Sequence, residues 1–175
     1  ICGSGLVDAV SEMKDQEIMD MTGRIDEDEM PEEYESRCFD LDGKPALSLT
    51  GQGEDGVFIA QKDLREVQLA KGAIAAGIEL LMREMGVTEI DECYLAGGFG
   101  SAIDPQSALA IGLLPELLRG KIVPIGNAAG MGAVEMLLSQ GARERAQALA
   151  ARAHYIELSE LEDFQDAFVE HMLFE

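Results

Sequence analysis

Three groups of residues in this 175-residue chain have the types and spacing to hold a small molecule. The first is Gly97, Gly98, Phe99 and Gly100 in the stretch "YLAGGFGSAIDP" (94–105), where an apolar run ends in bare backbone before Asp104-Pro105 opens a helix. Without a Cβ in the way, a flat ring or a sugar can lie against the main chain there. The following amides and helix start can meet a phosphate or a polar edge. The second group is Gly126, Asn127, Ala128 and Gly130 in "VPIGNAAGMGAVEML" (123–137), which repeats the plan of strand, small residues and helix. The third is Gln68 and Lys71. Lys71 interrupts an apolar helical stripe of Leu64, Val67, Ile74, Ile78, Leu81 and Met85, so it either snorkels outward or reaches a pocket at the helix edge. Gln68, one turn earlier, can reach the same place and touch a ribose or phosphate. Each group has a plain competitor: ordinary turn chemistry, close helix packing, and a snorkelling surface lysine.

The elements that position these groups alternate between strand and helix. A short amphipathic helix follows the first glycines at 6–15. Residues 21–56 are polar and acidic, and within them 38–50 fits a hairpin about Asp42-Gly43. A strand at 56–60 leads to a long helix that Asp63 caps and Gly86 ends. Strand 92–96 precedes the glycine loop, and Pro105 sits at the first helical position of the next helix, over 106–114. Strand 121–126 contains Pro124, which places it at an edge or a bend. A helix from 128, closed by Gly141, and another over 142–153 follow. The pattern then predicts a strand at 154–158 and a last helix opened by a Ser159/Glu162 capping box. Strands separated by helices predict an α/β sheet with parallel pairs, and parallel sheets carry ligands at the carboxyl ends of their strands.

Composition narrows the function classes. Thirty-four acids against thirteen bases give a formal charge of −21, which repels nucleic acid and anionic membrane. Seven of the ten residues in "DEDEMPEEYE" (26–35) are acidic, a solvated loop or a docking surface for a basic partner. No apolar run approaches the roughly 18 residues of a membrane span. The first residues lack the basic start of a signal peptide and begin within a Gly-rich turn without Met, so the expectation is a piece of a longer, cytoplasmic protein. Cys2, Cys38 and Cys93 stand far apart, and His154 and His171 complete no metal-ligand spacing. The three cysteines read as ordinary, buried thiols in a reducing cytoplasm, with no metal site.

The segments "ICGSGLVDAV" (1–10), "QKDLREVQLAKGAIAAGIELL" (61–81), "YLAGGFGSAIDPQSALAIGLLP" (94–115) and "IGNAAGMGA" (125–133), in that order, resemble the C-terminal domain of the reductive activators of corrinoid proteins. The likeness spans nearly the whole chain and is loosest over the acidic segment 26–56. It implies a single ribonuclease-H-like lobe over 1–175, with a mixed sheet and helices on both faces, from the superfamily of acetate and sugar kinases, heat-shock chaperone ATPases and actin. It assigns Gly97, Gly98, Phe99 and Gly100 to the adenosine pocket, Gly126, Asn127, Ala128 and Gly130 to a connecting motif, and Gln68 and Lys71 to the ribose. It implies ATP and Mg for the parent protein and a [2Fe–2S] cluster in an N-terminal ferredoxin-like domain absent from this sequence. As partners it implies a corrinoid methyl-transfer protein and the remaining domains of the same chain, and it leaves room for a homodimer. The two Asp-Gly-Thr phosphate loops of the family are absent from this sequence, and whether Gly3-Ser4-Gly5 touches phosphate stays open. The competing readings are a non-catalytic docking module and the lobe of a small-molecule kinase.

Overall fold

The computed structural model describes residues 1–51 and 53–174, apart from the side chain of Glu54. Helix α1 (Gly3–Asp15) starts earlier than the apolar pattern suggested, because the Cys2 thiol acts as N-cap and accepts from the Gly5 N–H at 3.4 Å. Its buried Val7, Val10 and Met13 recur on one face and enter the core. After the single turn α2 (Glu32–Glu35), strands β1 (Cys38–Leu41), β2 (Lys44–Thr50) and β3 (Val57–Ala60) form an antiparallel sheet. The β1–β2 turn is at Asp42-Gly43, both with positive φ (55° and 78°), as a tight hairpin with a right-handed twist requires.

Helix α3 (Gln61–Glu84) begins three residues before its expected start. Asp63 is not the N-cap; it lies in the first turn and its carboxylate accepts from the Ala60 N–H at 2.9 Å, the backward half of a capping box. Strand β4 (Cys93–Ala96) runs into α4 (Gly97–Gly100), then α5 (Pro105–Ala110), before β5 (Ile122–Gly126) returns parallel to β4. The Cys93 N–H donates to the Lys121 carbonyl, so alternate residues Lys121 and Val123 face β4. Pro124 therefore turns its missing donor to the outer edge, beside a register shift at Leu95/Ala96, which satisfies both expectations for it.

Three expectations fail beyond this point. Helix α6 (Ala128–Leu138) ends at Ser139, whose hydroxyl accepts from the Ala142 N–H at 3.2 Å and opens α7 (Gln140–Ala150); Gly141 is therefore inside a first turn and closes nothing. No strand forms at 154–158: Tyr155 is 86% exposed, and a segment without a neighbouring strand has no ladder to join. The Ser159/Glu162 box is also absent. Glu157 instead accepts from the Ser159 hydroxyl at 2.7 Å, capping a 3-10 turn at Leu158–Glu160, and α8 starts only at Phe164 and runs to Glu170.

Among the described residues the strands form two sheets, one antiparallel and one parallel. A continuous core joins them: Val10 of α1, Leu47 of β2, Ile59 of β3, Leu64 of α3 and Ile111 after α5 are all buried. Full burial of such an aliphatic side chain contributes roughly 1.5–3 kcal/mol. Helix α8 lies on α3, while α6 buries none of its residues and leaves Leu137 and Leu138 75% and 80% exposed.

Candidate functional site

The glycine loop stands at the carboxyl end of β4, and its glycines do different work. Gly97 has φ +87°, a left-handed conformation that a side chain rarely adopts, and a Cβ there would meet nothing within 4 Å. A Cβ on Gly98 would also find open space, and its φ is not positive. At Gly100 a Cβ would lie 3.3 Å from the Leu95 backbone, so that glycine serves packing. The loop is fixed from below. Ser101 Oγ donates to the Gly97 carbonyl at 2.5 Å, and Asp104 accepts from the Gln106 and Ser107 N–H groups at 2.6 and 3.1 Å as N-cap of α5. Pro105 holds the first helical position.

Phe99 is half exposed and divides two open cavities. One, of about 340 Å³, lies over Tyr94, Ala96 and Gly100. The other, of about 260 Å³, lies between α1 and α3 against Gly3, Leu6, Glu66 and Ala70. Ile74, Phe99 and Leu113 border both. A Cβ on Gly3 would approach the Phe99 ring to 3.1 Å, so the bare start of α1 gives that ring its seat. The walls are almost wholly apolar, and Glu66 is the one charged side chain among the residues lining either cavity. Such a slot suits a flat, weakly polar ring with one hydroxyl-bearing end near a carboxylate. Glu66 and Ala70, which continue at a spacing of four into Ile74 of the apolar stripe on α3, went unnoticed in the sequence. Their only signal is that spacing opposite a glycine loop.

The structure sends Gln68 and Lys71 elsewhere. Both are buried, at 4% and 2% exposure, so Lys71 neither snorkels nor lines either cavity. Its Nζ donates to the carbonyls of His171 and Leu173, each at 2.5 Å, and lies 5.2 Å from the centre of the Phe174 ring. Gln68 Nε2 donates to the Thr22 carbonyl at 2.8 Å and the Met172 carbonyl at 3.1 Å. These two residues meet the C-terminal segment, not the glycine loop. The stripe they were read from is itself uneven: Leu64 and Val67 are buried, while Ile74, Leu81 and Met85 are exposed.

At the end of β5, Gly126 takes φ +64°, and the Asn127 side chain accepts from the Gly130 N–H at 2.9 Å. A Cβ on Gly130 would strike that side chain at 2.6 Å, so Asn127, Ala128 and Gly130 have a complete explanation as the start of α6.

The thiols occupy three unlike settings. Cys2 is exposed, and hydrogen bonds with Ser4 and the Gly5 N–H hold its pKa below the ordinary thiol value. Burial, reinforced by the Glu27 carboxylate, pushes Cys38 up to about 11. Burial also raises Cys93. Among the described residues no three His, Cys, Asp or Glu side chains converge as metal ligands, and no helix is long and apolar enough to cross a membrane.

Comparison with known proteins places this geometry in context. Residues 1–175 match the family model described as the C-terminal domain of RACo, the ASKHA domain. The corrinoid activation enzyme RamQ of Eubacterium limosum is 32% identical over 99% of this chain, which covers 31% of that protein. The [Co(II) methylated amine-specific corrinoid protein] reductase of Methanosarcina barkeri is 32% identical over 49% of this chain and 16% of its own length. A solved reductive activator for a corrinoid, iron–sulfur protein superposes with a TM-score of 0.87 at 31% identity, over 99% of this chain and 28% of that one. The chain thus spans less than a third of the relatives it matches.

Proposed function

Because the chain belongs to the family of RACo C-terminal ASKHA domains, we propose that it forms the adenosine side of the nucleotide cleft in an ATP-dependent activator that reduces cob(II)alamin on a corrinoid methyl-transfer protein. The domain has the ribonuclease-H-like fold of the actin and chaperone ATPase superfamily. The observation that carries the reading is the open backbone of Gly97 and Gly98 beside the Phe99-divided apolar slot, with Glu66 on its wall.

The residues present fit a purine nucleoside. Gly97 and Gly98 would let the ring approach the main chain, Ile74 and Phe99 would bound it, and the Glu66 carboxylate would accept from a ribose hydroxyl. Burial of the apolar ring would favour binding, and a paired hydroxyl would set orientation. Asn127, Ala128 and Gly130 would shape the neighbouring helix start rather than touch the nucleotide. Gln68 and Lys71, held by C-terminal carbonyls, lie outside this slot. An iron–sulfur cluster does not fit here, since Cys2, Cys38 and Cys93 belong to separate elements and no ligand set converges among the described residues. Its ligands and the phosphate loops would belong to other parts of the parent protein.

The test is isothermal calorimetry of ATP binding to the full-length protein and its Gly98→Val variant. A branched side chain at the contact should weaken binding by about 2 kcal/mol, roughly a thirtyfold rise in Kd. Unchanged affinity in a folded variant would reduce the glycines to turn chemistry and give the lead to the docking-module reading.

A further inference from the structure

We propose that the cavity at the amino end of α3 binds a compact polyanion of the phosphate class, held by Arg24, Lys44, Lys62 and Arg65. These are four of only thirteen bases in a strongly acidic chain, yet together they line one cavity of about 370 Å³. Among the described residues none of the four is in an ion pair. The acids nearest to them in sequence are engaged by the backbone. Asp20 accepts from the Thr22 hydroxyl and from the Thr22 and Arg24 N–H groups, and Asp63 accepts from the Ala60 N–H. Glu66 is the acid on the wall, and it is the one residue this cavity shares with the slot between α1 and α3. Like charges lining one cavity repel one another, and a bound anion relieves that repulsion.

A second observation is independent of charge: the frame of the cavity is built. The Gln61 side chain accepts from the Ile25 N–H at 3.0 Å and donates to the Gly23 carbonyl at 2.6 Å. Buried Gln68 donates to the Thr22 carbonyl at 2.8 Å. Two amides of α3 thus clamp the loop that carries Arg24 to the helix that carries Lys62 and Arg65. A frame already ordered has less freedom to lose on binding. Lys44, Gln61 and Lys62 continue into a second cavity of about 250 Å³, so the groove has room for more than one phosphoryl group. Arginine forks take two oxygens of such a group at once. A cavity of a few hundred Å³ is the size of a small-ligand site. The acidic run 26–35 begins two residues after Arg24 and opposes a broad acidic protein surface, which leaves a small anion as the occupant.

The test is calorimetry of inorganic pyrophosphate with the full-length protein and two double variants, Arg24→Gln with Arg65→Gln and Lys44→Gln with Lys62→Gln. Arg83→Gln, at the far end of α3, is the control. All four cavity side chains are exposed, so both double variants should keep the melting temperature of the parent. Each should bind pyrophosphate about tenfold or more weakly, and the control should match the parent. ATP separates two sources of the phosphate, an arm that rests on the nucleotide reading above. Pyrophosphate binding that survives saturating ATP supports a free phosphate compound. ATP affinity that falls in the double variants supports the phosphate tail of a nucleotide in the neighbouring slot. A protein that binds pyrophosphate but no ATP would fail the nucleotide reading and keep this one. Pyrophosphate and ATP affinities unchanged in both folded double variants would overturn the proposal. Acetylation followed by peptide mapping gives a direct readout on the parent: pyrophosphate should slow modification of Lys44 and Lys62. Equal rates with and without it would also sink the idea.

Discussion

At the scale of single residues, Gly98 and Lys71 separate two sites that the linear sequence merges into one. Gly98 has no positive φ, so Gly98→Val introduces bulk without backbone strain, and its melting temperature should match the parent while ATP affinity falls. Lys71→Met should do the reverse. It removes two charge-assisted hydrogen bonds from a buried site, which should lower stability by about 2 kcal/mol or more. Denaturant unfolding reads that loss, and calorimetry should find ATP affinity unaltered. The thiols give a further check. A lowered pKa means more thiolate at mildly alkaline pH, and a raised one means less. Cys2 should therefore be alkylated by iodoacetamide well before Cys38 or Cys93, in an order that peptide mapping can read.

At the scale of elements, α6 differs from its neighbours. Its amino terminus is well made, since Asn127 caps it over Gly130, and Asn127→Ala should cost about 1 kcal/mol in thermal unfolding. Its apolar side chains contribute little within this domain, because none is buried. Replacing Leu137 and Leu138 by Ser should change the stability of the domain by no more than about 0.5 kcal/mol. The elements that local rules describe well are those closed by nearby atoms: the Asp42-Gly43 hairpin, the Asp104-Pro105 helix start and the glycine loop. Those they miss depend on a neighbour. Residues 154–158 have strand-forming side chains and no strand to pair with, and Gly141 follows a helix that Ser139 had already ended.

At the scale of the whole molecule, the −21 charge opposes compaction through self-repulsion. Raising salt from a few millimolar to about 0.15 M, where the screening length is about 8 Å, should raise the melting temperature in a calorimetric scan. The sequence by itself determined this charge, the α/β character, the bare loop after β4 and the family, because each resides in composition or in residues within a few positions of one another. Only the tertiary structure decided what Gln68 and Lys71 hold. The carbonyl partners of Lys71 lie 100 and 102 residues away in the chain, and a lysine in an apolar stripe carries no local mark of a distant acceptor. The slot beside Phe99 was hidden for the same reason. Its walls come from α1, α3 and the β4 loop, and burial, unlike periodicity, is a property of elements that meet in space.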